Sequence, residues 1–267
     1  MRDVRPSLVL AVLLAMAGSA AAEPVLPRVI TAPTAWLPRA GVVTATVGGA
    51  RAGSGTAIIG VGLGIASVDV GIDRDVRGCT VCDPDADAYD ATSLWLGRAA
   101  FRLGARQDAL VRGMPAIVLG VRTTFAARGA TFGRARTTEA YLVASRELGG
   151  GVRLHLGGAL IDAAHGDREV HLGVTARPFA GLEWTPAIYP RTTLLADLAY
   201  VPRFAPDAIA LEWVGDWGVR YDALAWASIE LAVRHRENEG LADSNVMVRL
   251  NLVPASRGRK EIGRTPR

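Results

Sequence analysis

The sequence predicts an all-β protein, a transmembrane antiparallel up-and-down β-barrel of about twelve strands in an outer membrane. Three observations favour this fold. The chain begins with an export signal, and its residues then alternate between apolar and polar from Val42 to Val253. Half of all residues are hydrophobic, yet no apolar run after the signal is long enough for a membrane-spanning helix. The apolar residues are therefore distributed along strands that present one face to lipid.

The first 22 residues are a predicted signal peptide. Arg2 and Arg5 precede an apolar core at residues 8–17, and three alanines at 20–22 form a small-residue cleavage site. The core is shorter than the roughly 20 residues that a membrane anchor needs. The mature chain is therefore expected to start at Glu23 and, since no cysteine directly follows the cleavage site, to carry no lipid anchor.

Twelve segments show the two-residue period of strands. In the last of them, Val248 and Leu250 alternate with Arg249 and Asn251, which places the two pairs on opposite faces. The predicted strands are residues 42–50, 56–63, 66–73, 92–103, 116–126, 138–148, 152–161, 169–184, 192–201, 209–221, 226–236 and 244–253. They make up a barrel domain at 42–253, preceded by a Pro-rich periplasmic lead-in at 23–41 and followed by a basic, disordered tail at 254–267.

The connections and the aromatic residues support the same topology. Short connections, such as 64–65 and 149–151, alternate with longer ones, such as 74–91, as periplasmic turns alternate with outer loops. The stretch 104–115 is an exception. Aromatic girdles are expected at both membrane interfaces, formed by Trp184, Tyr189, Tyr221 and Trp226 near the short turns and by Tyr89, Tyr141, Tyr200 and Trp213 near the outer ends. Trp and Tyr in an ordinary soluble core are the alternative interpretation.

The charge distribution argues against a nucleic-acid partner. The net charge of +4 is concentrated in the tail, which has five basic residues against one acidic residue, so the barrel itself is close to neutral. A nucleic-acid-binding protein would show a clustered basic face, and none is evident. The expected partners are outer-membrane lipid, the barrel assembly machinery, and a small polar solute or polysaccharide.

The polar face of the strands is the predicted lumen. Its charged residues allow two interpretations, a lumen filled by ion pairs or a water-filled path for a polar solute, because a barrel of about twelve strands is intermediate between filled and open barrels. The predicted lumen-lining residues are Asp69, Asp73, Arg98, Arg122, Arg153, His155, Arg177, Glu183, Asp197, Glu212, Asp216, Arg220, Glu230, Arg234 and Arg249.

The longest outer loop contains both cysteines and several acidic residues. Cys79 and Cys82 are expected to form a disulfide, since nearby cysteines oxidise outside the cytoplasm. The alternating aspartates that follow match only the start of a calcium loop, so a solvated acidic loop is favoured over a metal site.

No enzyme motif is evident. Asp162, His165 and Asp167 lie close together in sequence, and such a carboxylate–histidine pair could activate water. However, no second acidic pair can be placed opposite them, and nucleophile elbows, metal-binding helices and phosphate loops are missing from the sequence. The sequence predicts neither catalysis nor a cofactor.

Two short stretches carry a family resemblance. Residues 30–41 (ITAPTAWLPRAG) lead into the first strand with a Pro-x-Ala-x-x-x-x-x-Gly pattern, and residues 179–184 (FAGLEW) followed by 194–197 (LLAD) form a mid-barrel hairpin. Both resemble outer-membrane barrels linked to exopolysaccharide secretion, although this group more often has Glu where the chain has Asp197. The resemblance implies an outer-membrane barrel tied to surface polysaccharide.

Three functions remain open from the sequence. The first is a channel or accessory protein for polar solutes or surface polysaccharide, acting through the charged lumen. The second is a structural or adhesion barrel with a plugged lumen, acting through its outer loops. The third is a soluble periplasmic β-sandwich or binding barrel.

Overall fold

A computed structural model describes residues 26–50, 55–79, 91–126, 135–165, 170–205, 208–237 and 239–253, without the side chains of 74–79 and 91–95. The predicted signal peptide, the basic tail, Cys82 and Asp167 lie outside the described residues, as does the side chain of Cys79. The disulfide, the acidic loop and the signal cleavage site therefore stay predictions.

Twelve strands form the wall of a closed antiparallel barrel, as the sequence predicts. The ring closes where the first strand pairs with the last, from Ala45 opposite Leu252 to Ala50 opposite Met247. One further strand, β8 (Val170–His171), is not among these twelve. Its two residues pair with the end of β7. The strands are β1 (Val43–Ala50), β2 (Gly55–Gly62), β3 (Ala66–Cys79), β4 (Ala91–Ala105), β5 (Ala116–Ala126), β6 (Arg136–Gly149), β7 (Val152–His165), β8 (Val170–His171), β9 (Thr175–Trp184), β10 (Thr192–Phe204), β11 (Ile209–Leu224), β12 (Ala227–Arg236) and β13 (Asn245–Leu252).

The alternation along the strands sorts side chains between the lumen and the outside. Large apolar side chains remain exposed on the outer face all the way round the ring, whereas the charged residues between them are buried inside. Examples of exposed outer residues are Val70, Leu119, Leu156, Leu198, Leu231 and Val248. An apolar exterior around a charged interior is the arrangement expected of a barrel surrounded by lipid. No helix within the described segments is long and apolar enough to cross a membrane.

The structure corrects three predictions from the sequence, which concern one strand, one girdle residue and the lead-in. The predicted strand at 169–184 is interrupted at residues 172–174, where Gly173 adopts a positive φ of 71° that strands do not tolerate. Tyr141 is buried on the lumen side and does not belong to a girdle. The lead-in, predicted to lie in the periplasm, instead enters the barrel and is buried there from Leu26 to Leu37.

The hairpin of β3 and β4 crosses one mouth of the barrel. After a bulge between Asp73 and Val76, the end of β3 pairs in parallel with the end of β10, which lies half-way round the ring. Buried apolar residues from β4, β7, β10 and the start of β6 pack beneath it, namely Leu96, Ala135, Ala163 and Phe204. This mouth is opposite the short turns, and the sequence-predicted orientation places it outside the cell.

A glycine on β5 provides a test of the register between β5 and β6. Gly120 lies opposite Tyr141, and a Cβ atom at position 120 would lie 2.2 Å from Cζ of the buried Tyr141 ring. We expect Gly120→Val to destabilise the barrel by about 1–3 kcal/mol through overpacking. The measurement is the temperature at which the folded band converts to the unfolded band in SDS gels. Gly158→Ala is the control, because a Cβ atom at 158 would have Arg177 O as its nearest neighbour, at an ordinary contact distance of 3.7 Å. Equal conversion temperatures for the two variants would contradict the register.

Candidate functional site

Fourteen of the fifteen predicted lumen residues lie on the inward face of the wall, and Arg177 lies where the ladder between β9 and β10 is missing. Twelve are buried and three, Arg122, Arg153 and Arg177, are partly exposed. The buried ones are Asp69, Asp73, Arg98, His155, Glu183, Asp197, Glu212, Asp216, Arg220, Glu230, Arg234 and Arg249. That they line a path for a solute remains a prediction.

Ion pairs on β3–β6 neutralise one side of the lumen. Arg98 lies 3.3 Å from the carboxylates of both Asp69 and Asp73, and Arg102 lies 3.8 Å from Asp69. On the next strand pair, Arg122 binds Glu139, which stands almost directly across the β5–β6 ladder. Buried charges need such partners, because an unpaired charge away from water is costly.

Two glutamates connect the arginines on the other side. Glu183 accepts from Arg153 at 3.1 Å and Arg220 at 3.4 Å. Glu230 accepts from the same Arg220 at 3.2 Å and from Arg249 at 3.2 Å. The result is a continuous network from β7 to β13, in which each glutamate bridges two arginines.

Two further arginine–carboxylate pairs lie on β11 and β12. Arg234 binds both carboxylate oxygens of Asp216, at 2.8 and 2.9 Å, in a bidentate geometry that is rigid and directional. Arg236 binds Glu212 closer to the mouth. Arg236 and Glu139 are missing from the lumen set predicted from the sequence, although the two-residue period from neighbouring lumen residues places both on the inner face.

The N-terminal segment folds into a small hairpin inside the lumen. A bridge joins Arg28 to Pro33, and Thr34 N–H donates to Pro27 O at 3.0 Å. The tip of this plug is the turn at residues 29–32, in the middle of the barrel. The segment then leaves by the end with the short turns, where Gly41 N–H donates to Gly62 O at 2.8 Å. We call residues 26–37 the plug.

One carboxylate receives the tip of the plug. The backbone N–H groups of Ile30, Thr31 and Ala32 all donate to Asp197 Oδ2, at 2.8, 2.7 and 2.9 Å. Asp197 has no salt bridge to an arginine among the described residues, so these three bonds provide its main stabilisation. Asp216, directly opposite on β11, accepts the Thr31 hydroxyl at 2.6 Å.

Arginines of the wall bind the carbonyl groups of the plug. Arg220 donates to Val29 O at 3.0 Å and Arg249 to Ile30 O at 2.7 Å. Arg102 donates to Trp36 O at 3.3 Å, and Arg234 donates to the Thr31 hydroxyl. These arginines also hold wall carboxylates, so the contacts of the plug extend the ion-pair network.

Ser145 and His155 form a second attachment point. Ala35 N–H donates to Ser145 Oγ at 2.7 Å, and the same hydroxyl is 2.7 Å from His155 Nδ1. The Trp36 ring meets the His155 ring edge-on, with centroids 5.9 Å apart. His155 Nε2 is 4.0 Å from Glu183, too far for a hydrogen bond. The side chains of Ser145 and His155 are completely buried beneath the plug. They attach the plug to the wall and leave no access for a substrate.

One glycine leaves room for the plug, and another leaves room for the chain that follows it. A Cβ at Gly181 would lie 2.7 Å from Val29 Cγ2, and a Cβ at Gly62 would lie 2.2 Å from Arg39 O. The wall therefore has space for the segment at these two positions. The alternation of apolar and polar residues in the sequence does not predict where that space lies.

Of the three residues weighed for hydrolysis, Asp162 and His165 lie on β7, and Asp167 lies outside the described residues. His165 is buried at the mouth, where Nε2 lies 2.5 Å from Ala205 O and the ring packs against Phe204. Within the described segments, no group of three or more His, Cys, Asp or Glu side chains could hold a metal ion.

Comparisons with known proteins identify the fold. No family model and no curated protein matches the chain. Two solved structures of the KdgM porin are similar to it, one of the porin alone and one "in complex with disordered oligogalacturonate". Each has a TM-score of 0.50 over 79% of this chain and 98% of the porin chain, at 7% and 8% sequence identity respectively. The fold of this chain is thus that of a twelve-stranded outer-membrane barrel.

Proposed function

We propose that the protein is an outer-membrane channel for polar solutes whose lumen is closed by its own N-terminal plug. The observation that carries this proposal is the way the tip is attached. Hydrogen bonds to Asp197, Arg220 and Arg249 hold it, rather than apolar packing alone. Water or a polar solute can replace bonds of this kind, so release of the plug would leave a wall suited to a hydrated path.

The charge balance of the wall defines the solute class. The lumen carboxylates described above are paired with arginines or with the plug. Without the plug, the lumen would therefore offer many hydrogen-bond donors and acceptors, and its wall would have little net charge. Such a surface suits hydroxyl-rich solutes. An oligosaccharide is the favoured class, and the oligogalacturonate named with the KdgM porin belongs to it.

The mouth supports a second candidate function. The β3–β4 hairpin reaches β10 across the opening, and Leu96 and Phe204 pack beneath it. A barrel closed at this end as well as in the middle would act as a scaffold for its outer loops. Conductance measurements separate this structural role from the channel.

Removing the plug should open the barrel. We expect deletion of residues 26–37 to produce ion conductance in planar bilayers that the intact protein lacks or shows rarely. Asp197→Ala leaves three donors without their acceptor and should favour release by about 2 kcal/mol. This corresponds to a roughly thirtyfold higher open-to-closed ratio. Gly181→Val should act in the same direction by contact with Val29, and Asp243→Ala, on an exposed turn, is the control.

A folded deletion variant that stays closed would reject the channel and favour the structural barrel. Folding is checked by the heat-dependent shift of the band in SDS gels, which a closed barrel retains.

The arginines should determine ion selectivity once the plug is removed. Arg153→Ala in the deletion variant takes away a cation and leaves Glu183 with only one of its two arginine partners. We expect the reversal potential in a salt gradient to shift toward cation selectivity. Arg112→Ala, on an exposed turn outside the lumen, should leave the reversal potential unchanged. An identical reversal potential for the Arg153 and Arg112 variants would show that ions do not pass this side of the lumen.

A further inference from the structure

A groove of about 470 Å³ lies on the outer face of the wall, across β5, β6, β7 and β9. Leu119, Leu142 and Leu160 form its sides, and each is about half exposed. Its floor contains small residues, including Gly158 and Ala176. The groove therefore provides an apolar trough within the lipid-facing belt, of a shape that accepts a flexible hydrocarbon chain.

The wall is incomplete beside this groove. The ladder between β9 and β10 ends at Ala180 opposite Leu198, although β9 begins at Thr175 and β10 continues to Phe204. The first part of β9 is thus an edge, and it contains Pro178, which has no N–H to donate and is tolerated at edges. A slit separates the two strands at the end of the barrel opposite the short turns.

Arg177 lies in this slit and lacks a carboxylate partner among the described residues. Its guanidinium carbon is 5.5 Å from the centre of the Tyr200 ring on β10, and Nη1 donates only to the neighbouring Ala176 O at 3.1 Å. The arginines of the lumen network, in contrast, all bind aspartate or glutamate. Arg177 also lines the groove, so a cation without a counter-charge meets an apolar trough.

We propose that this surface binds one anionic membrane lipid, with the headgroup on Arg177 and an acyl chain in the groove. Arg177 is the third residue of β9, close to the end of the wall, where headgroups lie, and the groove continues toward the middle of β5. The charge lies near the end of the wall and the apolar groove lies nearer its middle, which matches the orientation of a membrane lipid. Anionic headgroups bind basic pockets on membrane proteins through the same charge attraction.

The test uses native mass spectrometry of the full chain in micelles that contain phosphatidylglycerol or phosphatidylcholine with identical acyl chains. The wild-type protein should retain one lipid, with a preference of about fivefold for phosphatidylglycerol, as expected for one cation at a membrane surface. Arg177→Gln should abolish the preference while leaving the acyl chain bound.

Filling the groove should remove the site. A side chain at 158 has open space outside the wall, since its Cβ would lie 3.7 Å from the nearest neighbouring atom. Gly158→Leu should therefore fold and displace both lipids. Ala57→Leu, on the exposed outer face of β2, and Arg112→Gln are the matched controls and should bind as the wild type does. Equal retention of the two lipids by the wild type, or wild-type retention by a folded Gly158→Leu variant, would overturn the proposal.

Discussion

The attachment of the plug to Asp197 is the interaction on which the interior of this barrel depends. A carboxylate in the middle of the lumen is costly without compensation. Here its charge is compensated by three successive backbone N–H groups, which in turn need an acceptor once they leave water. Asp197 Oδ2 and the three donors therefore satisfy one another. The two strands nearest to it adapt to the same contact, because Asp216 takes the Thr31 hydroxyl and Gly181 leaves space for Val29.

The ion-pair network extends this arrangement round the wall. Arg220 and Arg249 each contact a plug carbonyl and a wall carboxylate, so they connect the plug to the wall electrostatically. Buried networks of this kind define a unique conformation when every member is satisfied. Loss of the plug would leave these arginines paired with their carboxylates.

The slit beside β9 connects the lipid-facing surface to the interior. Arg177 and Pro178 line the groove on the outside and also a narrow crevice on the inside, where Thr31 and Pro33 of the plug lie. A lipid headgroup on Arg177 would thus lie close to Thr31 and Pro33 of the plug.

Local alternation in the sequence is enough to predict the barrel wall, whereas the filling of the lumen depends on contacts that form only in the folded barrel. The two-residue period depends on local chemistry, so it predicted twelve wall strands and the inward side of Asp69, Glu183 and Arg234. Ion pairs such as Arg220–Glu183 join residues far apart in sequence, and their partners depend on the ring closing. The plug has no periodicity at all. Its place follows from a fit between residues 26–37 and a cavity that exists only after the strands have assembled.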